Sequence, residues 1–211
     1  MAHYNRQSLA DALRQSGLQP GSIAFCHSNI GYLGIPEGER SEKNICETVL
    51  GAFQDVLGAD GTLVVPTFTY SFSNSKAFDP ARTPSDCGMF TEYIRKHPDA
   101  SRYNDPNVSV SALGKAARAL TENAPENAYG ENSFFDRFFR LDGVIANINF
   151  DAGSTFIHYV ERELQVPYRF DKRFTGLWQE NDVETTRSSV LSVRYLVEGP
   201  SLLLSHSPLL P

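Results

Sequence analysis

Between Ser22 and Pro66 the chain reads strand, helix, strand, and that order most limits what it can fold into. Ser22 to Cys26 is a short, nearly uninterrupted apolar run, and Thr62-Leu63-Val64-Val65-Pro66 is a second. Neither alternates polar with apolar residues, as a strand with one wet face would. Both therefore predict strands covered on two faces. Between them Ile45, Val49, Phe53 and Leu57 recur at a four-residue spacing, which predicts an amphipathic helix over Glu42 to Leu57, ended by Gly58 and Gly61. A shorter helix precedes the first strand, with Ser8 as its cap, Leu9 and Leu13 on one face and Gly17 at its end. Helix, strand, helix, strand predicts a parallel sheet with helices packed on its faces.

The same order returns late in the chain. Val144 to Asn149 is a β-branched run of strand length, broken by Asp151 and Gly153. Ser154 then stands as the N-cap of a helix beginning at Thr155, with Ile157, Val160, Glu161 and Leu164 at helical spacing. His158 falls near the first turn and Glu161 three residues on, on the same helix face. A lone His-x-x-Glu is more often structural than functional. This one follows a strand directly, at the sheet edge where open α/β folds keep their sites, and near the positive end of a helix.

The rest of the chain reads less sharply. Thr67 to Cys87 is long and irregular, and its aromatics Phe68, Tyr70, Phe72 and Phe78 predict an ordered loop. A short helix follows at Met89 to Ile94, stopped by His97-Pro98, then a strand over Val108 to Leu113 and a helix over Lys115 to Leu120. Ser133 and Asp136 resemble a capping box for the helix that carries Phe134, Phe135, Phe138 and Phe139. Val190 to Val197 fits a strand, and Leu202 to Pro211 fits no element. The strands at Ser22–Cys26, Thr62–Val65, Val108–Ala112 and Val144–Phe150 are expected in one mostly parallel central sheet with helices on both faces. No linker divides the chain, so residues 1–211 read as a single domain.

Composition narrows the partners. A formal net charge of −6 without a basic stripe argues against nucleic acid and anionic membrane, and agrees with a cationic substrate. Cys26, Cys46 and Cys87 are an odd number without metal-ligand spacing, and fit a reducing compartment. Met1 to Arg14 holds no apolar signal region, and no run is long enough to span a membrane. A cytoplasmic protein without membrane insertion is expected.

Seven segments, in order, resemble the aminoglycoside 3-N-acetyltransferase family: His27-Ser28; Gly61 to Thr69; Phe78-Asp79-Pro80 with Thr83-Pro84-Ser85; Pro106 with Ser109-Val110; Tyr129-Gly130 with Ser133; Leu141-Asp142-Gly143; and His158-x-x-Glu161. They span roughly Leu9 to Arg169. The resemblance implies transfer of an acetyl group from acetyl-CoA to the amine of a small amino sugar, without a metal, by a chain that can form a homo-oligomer. It makes His158 the general base, with Glu161 or Asp105 as the carboxylate that orients it, the arrangement such chemistry needs. It sets His27, Ser28 and Asn29 along CoA, with Thr67 and Thr69 similarly placed at the end of the second strand, and Ser109 with them. A bland role for His27, as a strand-end residue bonded to backbone, stays open beside this.

Two departures bear on the acceptor. Asp105-Pro106 stands where many antibiotic-modifying members carry His-Pro. Together with Val166 to Phe170, Lys172 and Phe174 to Gly176, it points towards a branch that acts on amino-sugar precursors of surface polysaccharide. Family members also run longer, so a chain shortened at its C-terminus is expected. A CoA-binding or interaction protein without turnover is the competing reading. A serine hydrolase is disfavoured, since neither Ser28 nor Ser154 sits in a Gly-x-Ser-x-Gly elbow.

Overall fold

The structure is a computed structural model and describes residues 4–38, 40–150 and 153–195. Its elements are α1 (Arg6–Gln15), β1 (Ile23–Ser28), α2 (Glu42–Leu57), β2 (Thr62–Pro66), α3 (Met89–Arg95), β3 (Ser101–Tyr103), β4 (Val110–Gly114), α4 (Ala117–Thr121), α5 (Phe134–Arg140), β5 (Val144–Ile148), α6 (Ile157–Glu163), β6 (Arg169–Glu180) and β7 (Val183–Arg194). A single 3₁₀ turn, Ile30–Tyr32, follows β1.

Five strands form the central sheet in the order β3-β4-β2-β1-β5. β1 pairs in parallel with β2 on one side and β5 on the other. Side chains alternate along β1, β2 and β4, and each face of the sheet buries one set; the edge strand β5 leaves Val144 and Ile145 exposed. Ala24, Cys26, Leu63 and Val65 join Leu13 of α1, Val49 and Phe53 of α2, and Phe90 and Ile94 of α3 in one core. Phe25, Val64 and Ala112 join Leu120 of α4, Phe134, Phe135 and Phe138 of α5, and Tyr159 of α6 in the other. Two covered faces explain the unalternating sequences. A fully buried Phe or Val in either core contributes about 1.5–3 kcal/mol.

β4 runs against β2, and β3 runs against β4, so four strands point one way and β4 alone opposes them. Periodicity carries no direction, which is why an all-parallel neighbour and an antiparallel one read alike in sequence. The short return from β3 to β4 decides the matter. Asp105 Oδ1 accepts the backbone N–H groups of Asn107 (2.8 Å) and Val108 (2.7 Å) and folds the chain back.

Three local expectations need correction. Asn5, not Ser8, caps α1; Ser8 is the reciprocal member of a capping box, its hydroxyl accepting the Asn5 N–H at 3.0 Å. α6 begins at Ile157, with Phe156 at its N-cap position. The Ser154 hydroxyl instead accepts the Phe156 N–H at 3.2 Å and closes a turn ahead of the helix. Finally, the weak pattern after Pro167 is a long two-stranded hairpin, β6–β7, in register from Arg169↔Arg194 to Glu180↔Val183. Its two-residue turn, Asn181-Asp182, takes positive φ at both positions (52° and 60°), as a tight hairpin turn requires.

The hairpin and the Thr67–Cys87 loop hold each other. Phe72, Phe78 and Trp178 form a small core of their own. The Phe78 N–H donates to Leu177 O, and the Gln179 N–H donates back to Phe78 O, both at 2.9 Å. Gly176 is required there, because a Cβ would meet the Phe72 ring at 2.4 Å. Asp151, Leu202 to Pro211 and the last part of the strand expected over Val190 to Val197 lie outside the described residues. No helix of the described residues is long and apolar enough to cross a membrane.

Candidate active site

β1, β2 and β5 are parallel neighbours, so their carboxyl ends open on the same edge of the sheet. A cleft of about 480 Å³ lies there, lined by His27 and Ser28 from β1, Pro66, Phe68 and Tyr70 from the end of β2, Cys87, Phe150, and Gly153 to Thr155 with Ile157 and His158 at the start of α6. His27 and His158 come from opposite ends of the chain and share this one cleft.

His158 is half-buried, and its Nδ1 lies 2.8 Å from Glu161 Oε2. The edge of its ring packs against Tyr129, with centroids 5.7 Å apart. With Nδ1 occupied, Nε2 is the nitrogen left to take a proton. Burial holds the imidazole below its ordinary pKa; the bond to Glu161 raises it and the charge of Arg169 lowers it. Glu161 is itself buried, and burial pushes its carboxyl up. The bonds from His158 and Tyr168 and the charge of Arg169 outweigh that, and the carboxyl stays below its usual range. Tyr168 Oη donates to Glu161 Oε1 at 3.1 Å. Arg169 Nε lies 2.5 Å from Oε2, an ion pair by distance although its N–H is not aligned as a hydrogen bond.

His27 is built differently. It is 5% exposed, its ring lies edge-on to Phe25 at 4.4 Å and stacked on Phe150 at 5.8 Å, and among the described residues no carboxylate faces it. Burial alone pushes it down to about 4, so it is neutral at physiological pH. Ser154 Oγ lies 3.4 Å from its Nε2, and its Nδ1 is a buried atom without a partner among the described residues. A buried nitrogen beside aromatic walls is a place where a ligand's polar group can complete the bonding.

The other expected residues divide. Ser28 lines the cleft, and Asn29 lies exposed just beyond it, its N–H held by Ile148 O. Thr67, Thr69 and Ser109 are buried away from the cleft. Thr69 Oγ1 donates to Pro106 O at 2.9 Å, Ser109 Oγ bonds to Thr67 O, and Arg102 Nη2 donates to Ser109 Oγ at 3.1 Å. The backbone explains this, since Thr67 and Thr69 extend the β2–β4 ladder through bonds to Ser109 and Asn107. Alternation then sends Phe68 and Tyr70 to the cleft and the threonines inward. The same alternation is present in the sequence and points to the two aromatics. Asp105 is buried in its turn and accepts a third bond from Ser189 Oγ (3.1 Å); it lines a separate cleft with Trp178 and Arg187. Its carboxyl is raised by burial, and Glu161 alone of the two expected carboxylates touches His158. Tyr129, Tyr168 and Arg169 complete the site without any spacing signal that singles them out.

The sequence profile of the aminoglycoside 3-N-acetyltransferases matches residues 25–198. Aminoglycoside N(3)-acetyltransferase III from a Salmonella species is 28% identical over 184 aligned residues, covering 78% of this chain and 62% of that protein. Aminoglycoside N(3)-acetyltransferase VII from Streptomyces paromomycinus is 29% identical over 195, covering 82% and 65%. The chain therefore spans somewhat under two thirds of the length of these curated relatives. Among solved structures, that of aminoglycoside acetyltransferase AAC(3)-Xa superposes with a TM-score of 0.78 at 25% identity, covering 90% of this chain and 72% of that one. AAC-IIIb, in its binary complex with CoASH, gives 0.80 at 22% identity, covering 91% and 77%. Profile, relatives and fold agree: the chain belongs to the aminoglycoside 3-N-acetyltransferase family.

Proposed function

We propose that the chain transfers an acetyl group from acetyl-CoA to the amine of an amino sugar, with His158 as general base. The observation that carries this reading is the His158–Glu161 pair on the wall of an apolar cleft at the carboxyl edge of β1, β2 and β5. An ammonium group is not a nucleophile. A neutral imidazole whose Nδ1 is fixed by a carboxylate can take a proton from the free amine at Nε2 while nitrogen attacks the thioester carbon; the C–S bond then breaks, and the imidazolium returns that proton to the departing CoA thiolate. The lowered pKa of His158 keeps the ring in the accepting form near neutral pH.

The cleft also fits the donor. Phe68, Tyr70, Phe150 and Ile157 offer an apolar channel for the pantetheine arm, and His27 with Ser28 and Ser154 gives it one polar side. That a fold relative carries CoASH in its solved complex supports the same assignment. Asn29, exposed just beyond the cleft, is assigned to the same arm. Thr67, Thr69 and Ser109 act on this site by holding the end of β2 in place.

The acceptor in this reading is an amino sugar: the relatives' names give aminoglycosides, and an amino-sugar precursor is the alternative that Asp105-Pro106 suggests. Among the described residues no carboxylate lines the cleft. That favours a second reading, a CoA-binding protein without turnover. Thiol release from acetyl-CoA, measured against aminoglycosides, amino-sugar nucleotides and simple amines, separates the two. Release with an amino sugar supports transfer. A thermal shift with CoA and no release with any amine supports binding alone.

A further inference from the structure

We propose that Arg169 is a positioning residue for the His158–Glu161 pair, clamping the carboxylate against the imidazole from the neighbouring hairpin; this rests on His158 being the base. The geometry is specific. Arg169 opens β6 and is only 7% exposed at its side chain. Its Nε lies 2.5 Å from Glu161 Oε2, the same oxygen that faces His158 Nδ1. Its Nη1 donates to Ser192 O of β7 at 2.9 Å. One side chain thus ties α6 to both strands of the hairpin.

Tyr168 fills the other carboxylate oxygen. Glu161 therefore holds three partners and has no freedom to rotate away from His158. A histidine on a seven-residue helix with a partly exposed ring has several rotamers available. Fixing Glu161 selects one of them, and the cost of ordering is met before substrate arrives.

Arg169 also adds charge beside the base. The groups that act on His158 are Glu161 on its own helix, Arg169 from β6, Arg194 from β7 and the Tyr129 ring, with Tyr168 acting through Glu161. The cations disfavour the imidazolium, and Glu161 favours it. Burial is the main influence that holds the imidazole below its ordinary pKa, and the carboxylate works against it. Arg169 adds to the effect of burial, so the ring is oriented by Glu161 yet stays free to accept a proton.

The test is Arg169→Gln, which keeps a donor near Glu161 and removes the cation. His158 is titrated by NMR through its ring resonances, assigned with His158→Gln, and the rate of acetyl transfer is followed against pH. The His158 midpoint is expected to rise by about one pH unit. kcat should fall roughly tenfold at neutral pH, with the acid limb moved up by the same shift and KM for acetyl-CoA unchanged. A His158 midpoint that stays or falls, with a rate loss equal at every pH, would assign Arg169 to seating the hairpin and overturn the proposal. Should Arg169→Gln fail to fold, Arg169→Lys keeps the cation. Its His158 midpoint should lie within about 0.3 unit of the parent, and a rise of a full unit there would also overturn the proposal. The NMR titration needs no turnover, so it decides the role of Arg169 even if acetyl transfer is absent, and the failure of the one reading is not mistaken for that of the other.

Discussion

His27 and His158 stand on the same cleft and are held in opposite ways. His27 ends a strand of the central sheet, pressed between Phe25 and Phe150 without a charged partner among the described residues. His158 begins a short helix and is fixed by Glu161, which is in turn held by Tyr168 and Arg169. Burial lowers both histidines, and it lowers His27 to about 4. The proposed mechanism thus divides labour between identical side chains. In that mechanism the neutral His27 ring would serve as a surface and a hydrogen-bonding group. A ring with a clamped carboxylate can carry a proton transiently.

The largest effect expected on this contrast comes from the wall behind His27. Phe25→Ala should cost about 3–5 kcal/mol of unfolding free energy, because Phe25 is fully buried against Phe134, Phe138 and the His27 ring. Urea unfolding measures it, and a loss under about 1 kcal/mol would mean the two walls are not packed as described. Next comes the pH dependence of His27. Its folded pKa is about 4 against about 6.5 unfolded, so the unfolded chain binds the extra proton as pH falls. Stability from this group is complete above about pH 6.5 and falls as the solution is acidified towards about pH 4. Between pH 7 and pH 5 the loss is about 2 kcal/mol, and His27→Phe should flatten that slope. An equal slope in the variant would remove His27 as its source.

Smaller effects belong to the other wall. Glu161→Gln should lower kcat on the order of 10-fold, the worth of one charge-assisted hydrogen bond, and leave CoA binding unchanged by calorimetry. An unchanged kcat would break the claimed contrast between the two histidines. Tyr168→Phe removes one bond from a partly exposed hydroxyl and should cost about 2–3-fold. A loss as large as that of Glu161→Gln would show that Tyr168 does more than brace the carboxylate.

What the sequence discloses follows burial. α2 and β2 lie over Glu42–Leu57 and Thr62–Pro66 as their patterns predict, because both faces of that layer are covered and every position is constrained. β6 and β7 leave most of their side chains in solvent, with Trp178, Ser189, Leu191 and Ser192 buried, so their pattern carries little signal. Within the site, His158 and Glu161 are legible together because three residues on a helix fix their distance. Arg169 reaches Glu161 only through the seating of the hairpin, a tertiary fact with no fixed spacing. Asp105 shows the converse. Its carboxylate is plain in the sequence, and the turn it closes consumes it.

The role of His158 is decided by the acetyl-CoA-dependent rate of His158→Gln, taken with the acceptor that gives the highest parent rate, at saturating acetyl-CoA, alongside CoA affinity. A general base at this position requires a fall of roughly 10²–10⁴-fold, with CoA affinity and the unfolding midpoint close to the parent's. A folded His158→Gln protein that keeps most of the parent's rate would contradict it.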